Sequence, residues 1–175
     1  VHSPDRDGLF AAIVMSLDRL GFAIHRARVL DGPGDTIFDT FEVSPADSFA
    51  DPDPQHLSAA LMQVLAGDLD KVRPARRVVP RQLRHFRFAP RIDFPDSGQP
   101  GCTLLNLVAP DRPGLLADVA EVLREQKLRV HDARIATFGE RGEDQFLLTD
   151  QDDRPLDETA RQALHAALLT SLAPR

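Results

Sequence analysis

The chain has 175 residues, 42% of them hydrophobic and 27% charged, a balance that fits a folded globular protein and excludes a disordered one. Its net charge of −6 argues against broad affinity for nucleic acid or anionic membrane, and no apolar run approaches the ~18 residues of a membrane span. The single cysteine, Cys102, cannot form an internal disulfide and fits a reducing, cytoplasmic setting.

In chain order, the turn Asp5-Arg6-Asp7-Gly8 opens a helix over residues 9–20, whose Leu9, Ile13, Leu17 and Leu20 keep helical register. Residues 22–30 and 37–43 read as a strand hairpin around Asp31-Gly32-Pro33-Gly34-Asp35. A second helix is predicted over residues 54–67, with Leu57, Leu61, Val64 and Leu65 on one face. Asp51-Pro52-Asp53 before it reads as a solvated turn, because the upstream glycine-serine motif of a nucleotidyltransferase is missing. Residues 83–89 close this part as a strand, with Phe86 and Phe88 assigned to the core.

Residues 103–109 then form an apolar strand that enters the turn Pro110-Asp111-Arg112-Pro113-Gly114. A helix follows, marked by Leu115, Leu116, Val119, Val122 and Leu123; Asp111 is placed as its cap, as Asp5 is for the helix over 9–20, and Pro113 in its first turn. Residues 128–138 and 144–148 are strands around a turn at residues 139–142, and residues 157–172 are a last helix with Leu164, Ala167, Leu168 and Leu172 on one face.

These elements repeat. Asp5-Arg6-Asp7-Gly8-Leu9-Phe10 returns 106 positions later as Asp111-Arg112-Pro113-Gly114-Leu115-Leu116, and Ile24-His25-Arg26-Ala27-Arg28-Val29 returns as Val130-His131-Asp132-Ala133-Arg134-Ile135. After a one-residue deletion, Asp39-Thr40-Phe41 matches Asp144-Gln145-Phe146. The chain is therefore read as two copies of one module. The order β-α-β-β-α-β implies an α+β fold of two ferredoxin-like modules with antiparallel sheets, residues 1–90 and 91–175. The first copy's opening strand is truncated, and a start at Val1 suggests a piece of something longer. The second copy stops after its helix, so residues 91–95 are expected to supply its closing strand by pairing with residues 103–109.

An aspartate, two residues, glycine and leucine at a strand-to-helix turn, in tandem βαββαβ modules, resembles the ACT domain family, small regulatory modules that bind amino acids at paired interfaces. The string His131-Asp132-Ala133-Arg134-Ile135-Ala136-Thr137-Phe138-Gly139-Glu140-Arg141, with Glu143-Asp144-Gln145-Phe146 and the upstream Pro80-Arg81-Gln82-Leu83-Arg84-His85-Phe86, is similar to the C-terminal tandem ACT region of the bifunctional uridylyltransferase/uridylyl-removing family. That resemblance implies a glutamine sensor. It implies partners in the parent enzyme's nucleotidyltransferase and phosphohydrolase domains, and through them in the nitrogen signal protein PII. Mg²⁺ is implied for those catalytic domains, no cofactor for this chain, and a homodimer through ACT pairing is a further expectation.

A free amino acid needs donors for its carboxylate and acceptors for its ammonium. The helix-opening turns offer unpaired backbone N–H groups, and Gly8 and Gly114 either let a ligand approach the main chain or simply tighten the turn. The candidate ligand residues are thus Asp111, Arg112, Pro113, Gly114, Leu115 and Leu116 in one copy, with Asp5, Asp7, Gly8, Leu9 and Phe10 in the other. Asp7 stands where the other copy has Pro113, adding a negative charge beside a bound carboxylate. The apolar parity switches within each second strand, at His25-Arg26-Ala27 and at His131-Asp132-Ala133. Either a bulge that exposes backbone to a ligand, or a strand apolar on both faces at an interface, explains that switch. His25 and His131, at equivalent positions, either meet the ligand or hydrogen-bond across the sheet.

No histidine spacing suits a metal, and no catalytic triad, P-loop or dinucleotide fingerprint is present. Eight bases between Lys71 and Arg91 with no acid among them read either as a docking face or as a solvated one. Three functions follow: a glutamine-sensing region, a ligand-free docking or dimerisation module, or the ACT region of another regulated enzyme.

Overall fold

The computed structural model describes residues 1–30, 32–34, 36–46, 53–75 and 88–173. The first half contains β1 (His2–Pro4), α1 (Leu9–Arg19), β2 (Phe22–Arg28), β3 (Thr36–Phe38), β4 (Thr40–Pro45), α2 (Pro54–Leu65) and a 3₁₀ turn over Leu69–Lys71. The second contains β5 (Arg91–Asp93), β6 (Thr103–Pro110), α3 (Leu115–Glu125), β7 (Arg129–Phe138), β8 (Arg141–Thr149) and α4 (Glu158–Leu172).

In the second half the strands form one antiparallel sheet in the order β5-β6-β8-β7. β5 pairs with β6 through Ile92 opposite Leu107, so the strand predicted at residues 91–95 lies where expected, shortened to three residues. Alternation along β6 buries Thr103, Leu105, Leu107 and Ala109, and this face is covered by α3 and α4, whose Val119, Leu123, Leu164 and Leu168 are fully buried.

The first half departs from the predicted hairpin. The single strand expected at residues 37–43 is broken at Asp39: β3 pairs with β1, and β4 pairs with β2. The Asp39 N–H donates to the Val1 carbonyl and the Val1 amino group to the Asp39 carbonyl, which carries the β1–β3 register one pair further before the chain changes neighbour at Thr40. The closing strand predicted at residues 83–89 falls mainly outside the described residues. Phe88 and Ala89 adopt no regular element, and Phe88 is exposed, not in the core. Most of the basic run, residues 76–87, also lies outside them.

The predicted caps are corrected as well. Neither Asp5 nor Asp111 caps a helix: α1 and α3 begin one residue after Gly8 and Gly114, whose φ of 75° and 81° are left-handed, and neither start carries a side-chain cap. Pro113 accordingly lies before the helix, not in its first turn. The aspartates stand three residues upstream of those glycines, too far to reach the helix-opening amides. Asp53 and Asp157 do cap α2 and α4, accepting from Gln55 and His56 and from Ala160 respectively.

The halves share their packing. α1 lies against both α2 and α3, and β2 runs beside β7. Ten of the eleven residues of α1, from Leu9 to Asp18, are buried, as expected of a helix with neighbours on every side. Phe10, Ala11, Val14 and Met15 join the main core with Ala27, Val29, Phe146 and the second half's helices. Leu9, Ala12, Ile13 and Leu17 face a smaller core with Ile37, Leu69 and the half-buried stripe Leu57, Leu61, Val64 and Leu65 of α2. Replacing Ile13, which is fully buried, by alanine should cost about 2–5 kcal/mol, read as a lowered midpoint of chemical denaturation.

Candidate functional site

Because β2 lies beside β7 and α1 against α3, the turn that opens each helix faces the bulged strand of the other half. Two quasi-equivalent clefts result. One is walled by Asp111, Arg112, Pro113, Gly114, Leu115 and Leu116 of the second half and by Asp18, Phe22, Ala23, Ile24 and His25 of the first; its volume is about 270 Å³. The other is walled by Asp5, Asp7, Gly8, Leu9 and Phe10 of the first half and by Arg124, Leu128, Arg129, Val130 and His131 of the second; its volume is about 40 Å³. The larger approaches the ~300 Å³ at the small end of ligand sites. The smaller has room for only a few waters.

Of the two explanations left open for the parity switch, the bulge is present, in strands that also lie side by side. Strand register shifts between Ile24 and Arg26 in β2 and between Val130 and Asp132 in β7, at the two histidines. Each histidine bonds across to the neighbouring strand, His25 Nε2 to Ser44 Oγ at 2.7 Å and His131 Nε2 to Thr149 Oγ1 at 2.8 Å. The bulge re-aims the strand beyond it: Ala27 and Ala133 turn into the core, and neither lines a cleft. Arg26 pairs with Glu42 at 3.6 Å on the surface and Asp132 with Arg134 at 3.6 Å, and both stand outside the clefts. Among the candidates read from the sequence, the structure gathers the six residues 111–116 with His25, and gathers Asp5, Asp7, Gly8, Leu9 and Phe10 with His131.

Charge differs sharply between the clefts. The larger is lined by three carboxylates, Asp18, Asp111 and Asp144. Burial pushes the Asp144 carboxyl up to about 7, opposed by a hydrogen bond from the Ala136 backbone N–H and reinforced by the negative charge of Asp111. Burial also raises Asp111, against the Arg112 backbone hydrogen bond and the positive fields of His25 and Arg112. Arg112 pairs with Asp118, its carbonyl accepts from the Leu115 N–H at 3.0 Å, and Leu116 and Ala117, the next residues of α3, line the cleft. A site with helix-opening donors on one wall and carboxylates on another suits a zwitterion.

In the smaller cleft Arg129 pairs with Asp153 at 2.7 Å, Asp7 at 3.4 Å and Asp5 at 3.5 Å, and these partners raise its pKa. Arg124 donates to the carbonyls of Leu69 and Val72 at 3.2 and 2.8 Å. Asp18, Ala23, Asp144, Arg124 and Arg129 were all missed in reading the sequence. The signal was available: at the 106-residue offset Asp18 corresponds to Arg124 and Ala23 to Arg129, two of the substitutions that separate the clefts. Among the described residues, no group of three or more His, Cys, Asp or Glu could hold a metal ion. No described helix is long and apolar enough to cross a membrane.

A carboxyl raised by burial binds its proton more tightly folded than unfolded, so its cost to stability grows as pH climbs from the ordinary value near 4 through 7. Asp144→Asn should therefore stabilise the chain at pH 8 by on the order of 2–4 kcal/mol and have little effect at pH 4. Denaturant titrations at the two pH values measure the difference.

Residues 103–168 match the model of the ACT domain family. The chain is 71% identical over 174 residues to the bifunctional uridylyltransferase/uridylyl-removing enzyme of Xanthomonas axonopodis pv. citri (strain 306), covering 99% of this chain and 20% of that protein. The same figures hold for the enzyme of that description from Xanthomonas oryzae pv. oryzae (strain MAFF 311018). That of Stutzerimonas stutzeri (strain A1501) is 38% identical over 162 residues, covering 90% of this chain and 18% of the relative. The chain thus spans about a fifth of the length of the curated relatives it matches.

Proposed function

We propose that the chain is a glutamine-sensing regulatory region of a bifunctional uridylyltransferase/uridylyl-removing enzyme, because residues 103–168 match the ACT domain family and 99% of the chain aligns, at 71% identity, with a fifth of such an enzyme. Residues 1–90 and 91–175 act as a pair of ACT modules in this reading. The observation that carries it is the cleft of about 270 Å³ between the start of α3 and strand β2. The ligand's carboxylate meets the opening amides of α3, its ammonium lies toward Asp18, Asp111 and Asp144, and its side-chain amide reaches the bulge at His25. Glutamate would bring a second negative charge into a wall of carboxylates, so the neutral amide is favoured.

Both halves line the cleft, so a bound ligand favours the arrangement that best closes them around it, by no more than its differential affinity for the two states. In a full-length enzyme this would bias a nucleotidyltransferase domain against a phosphohydrolase domain, and so set the uridylylation state of PII in the cytoplasm. Any Mg²⁺ requirement belongs to those catalytic domains.

Calorimetry on the chain should give saturable uptake of glutamine and at least tenfold weaker uptake of glutamate. The ammonium draws Asp144 toward its charged form, so affinity should rise between pH 6 and pH 8 with release of a proton. A folded chain that takes up neither amino acid would support the ligand-free docking module instead.

A further inference from the structure

The two clefts are related by the internal repeat, yet they are not equivalent. Resting on the ligand reading above, we infer that the chain holds one amino-acid site and not two, because Arg124 and Arg129 fill at the Gly8 turn the space that a ligand takes at the Gly114 turn.

The geometry around the two glycines shows the substitution. A Cβ on Gly8 would lie 3.3 Å from Cδ of Arg124, whereas a Cβ on Gly114 would meet nothing nearer than the Asp18 carboxylate at 3.9 Å. Arg124 and Asp18 occupy equivalent places at the ends of α3 and α1. A cation there complements the negative end of a helix, and an anion works against it. Asp18 is nevertheless 7% exposed at that unfavourable place, where it lends the open cleft an acceptor.

The second exchange sets the volume. Ala23 leaves the open cleft room beside its helix start, while Arg129 crosses the closed one to reach Asp5 and Asp7 on the far side. Asp7 stands where the open cleft has Pro113. The closed cleft thus carries its own carboxylates beside the start of α1 and its own cation against them, the two charges that a zwitterion would otherwise bring. The bonds of Arg124 to Leu69 and Val72 tie the chain leaving the first half to the same place, so the filled cleft fastens the halves together.

Titration calorimetry with L-glutamine on the chain should give one ligand per chain. Ala23→Arg, which copies the closed cleft into the open one, should abolish uptake without changing the circular dichroism spectrum. The double variant Arg124→Asp, Arg129→Ala should raise the stoichiometry from one to two. Two ligands on the unaltered chain overturn the inference and leave the glutamine reading standing, as does full-strength uptake by Ala23→Arg. A folded double variant that still takes one ligand overturns the role given to the arginines. No uptake by the folded unaltered chain overturns the glutamine reading, and the inference with it. Should the double variant fail to fold, the stoichiometry of the unaltered chain and the Ala23→Arg result decide between one site and two.

Discussion

Burial of α1 on every side is the constraint on which the rest of the molecule depends. A helix that presents Phe10, Ala11, Val14 and Met15 to one core and Leu9, Ala12, Ile13 and Leu17 to another cannot be stable in a free-standing first half. Burial of a large apolar side chain contributes roughly 1.5–3 kcal/mol, and Phe10, Val14 and Met15 draw part of theirs from the second half. The halves therefore share one core. Because α1 seats on α3, β2 is carried alongside β7, and each helix start is brought against the other half's bulged strand.

That arrangement makes the clefts properties of the pair. Neither half alone places a helix start opposite a strand with broken register. The electrostatic difference between the clefts then follows from a few side chains on a common frame. Carboxylates line the open one, at a cost visible in Asp144, whose carboxyl is lifted to about 7. In the other, guanidinium groups meet carboxylates from both halves, with Arg129 satisfied by three acids at once. An exposed pair adds little to stability, but Arg129 joins Asp153 of its own half to Asp5 and Asp7 of the other. One frame thus carries a cleft of about 270 Å³ and another of about 40 Å³.

Much of this was legible in the residues. The two helix starts, the second half's strands and helices, the edge strand at 91–93 and both register breaks could be read from periodicity, turn residues and parity, because each is governed by contacts close in sequence or by a face that must be buried. The break at Asp39 was not, since β3 and β4 together look like one apolar strand and only their different neighbours part them. The caps were misjudged because a left-handed glycine, not an aspartate side chain, starts these two helices. The candidate site was legible as two turns and two histidines. The pairing of each turn with the opposite half's histidine was not.

Taken alone, the sequence determined that two stretches of the chain repeat at an offset of 106 residues and roughly where most of its helices and strands begin, since these depend on local dihedral preference and on the spacing of apolar residues. Only the tertiary structure decided which turn faces which strand, that one cleft is roomy and the other filled, and that Asp144 holds its proton near neutrality. Those properties arise from groups distant along the chain that meet only when the shared core closes. Volume and desolvation belong to that meeting and not to any one segment.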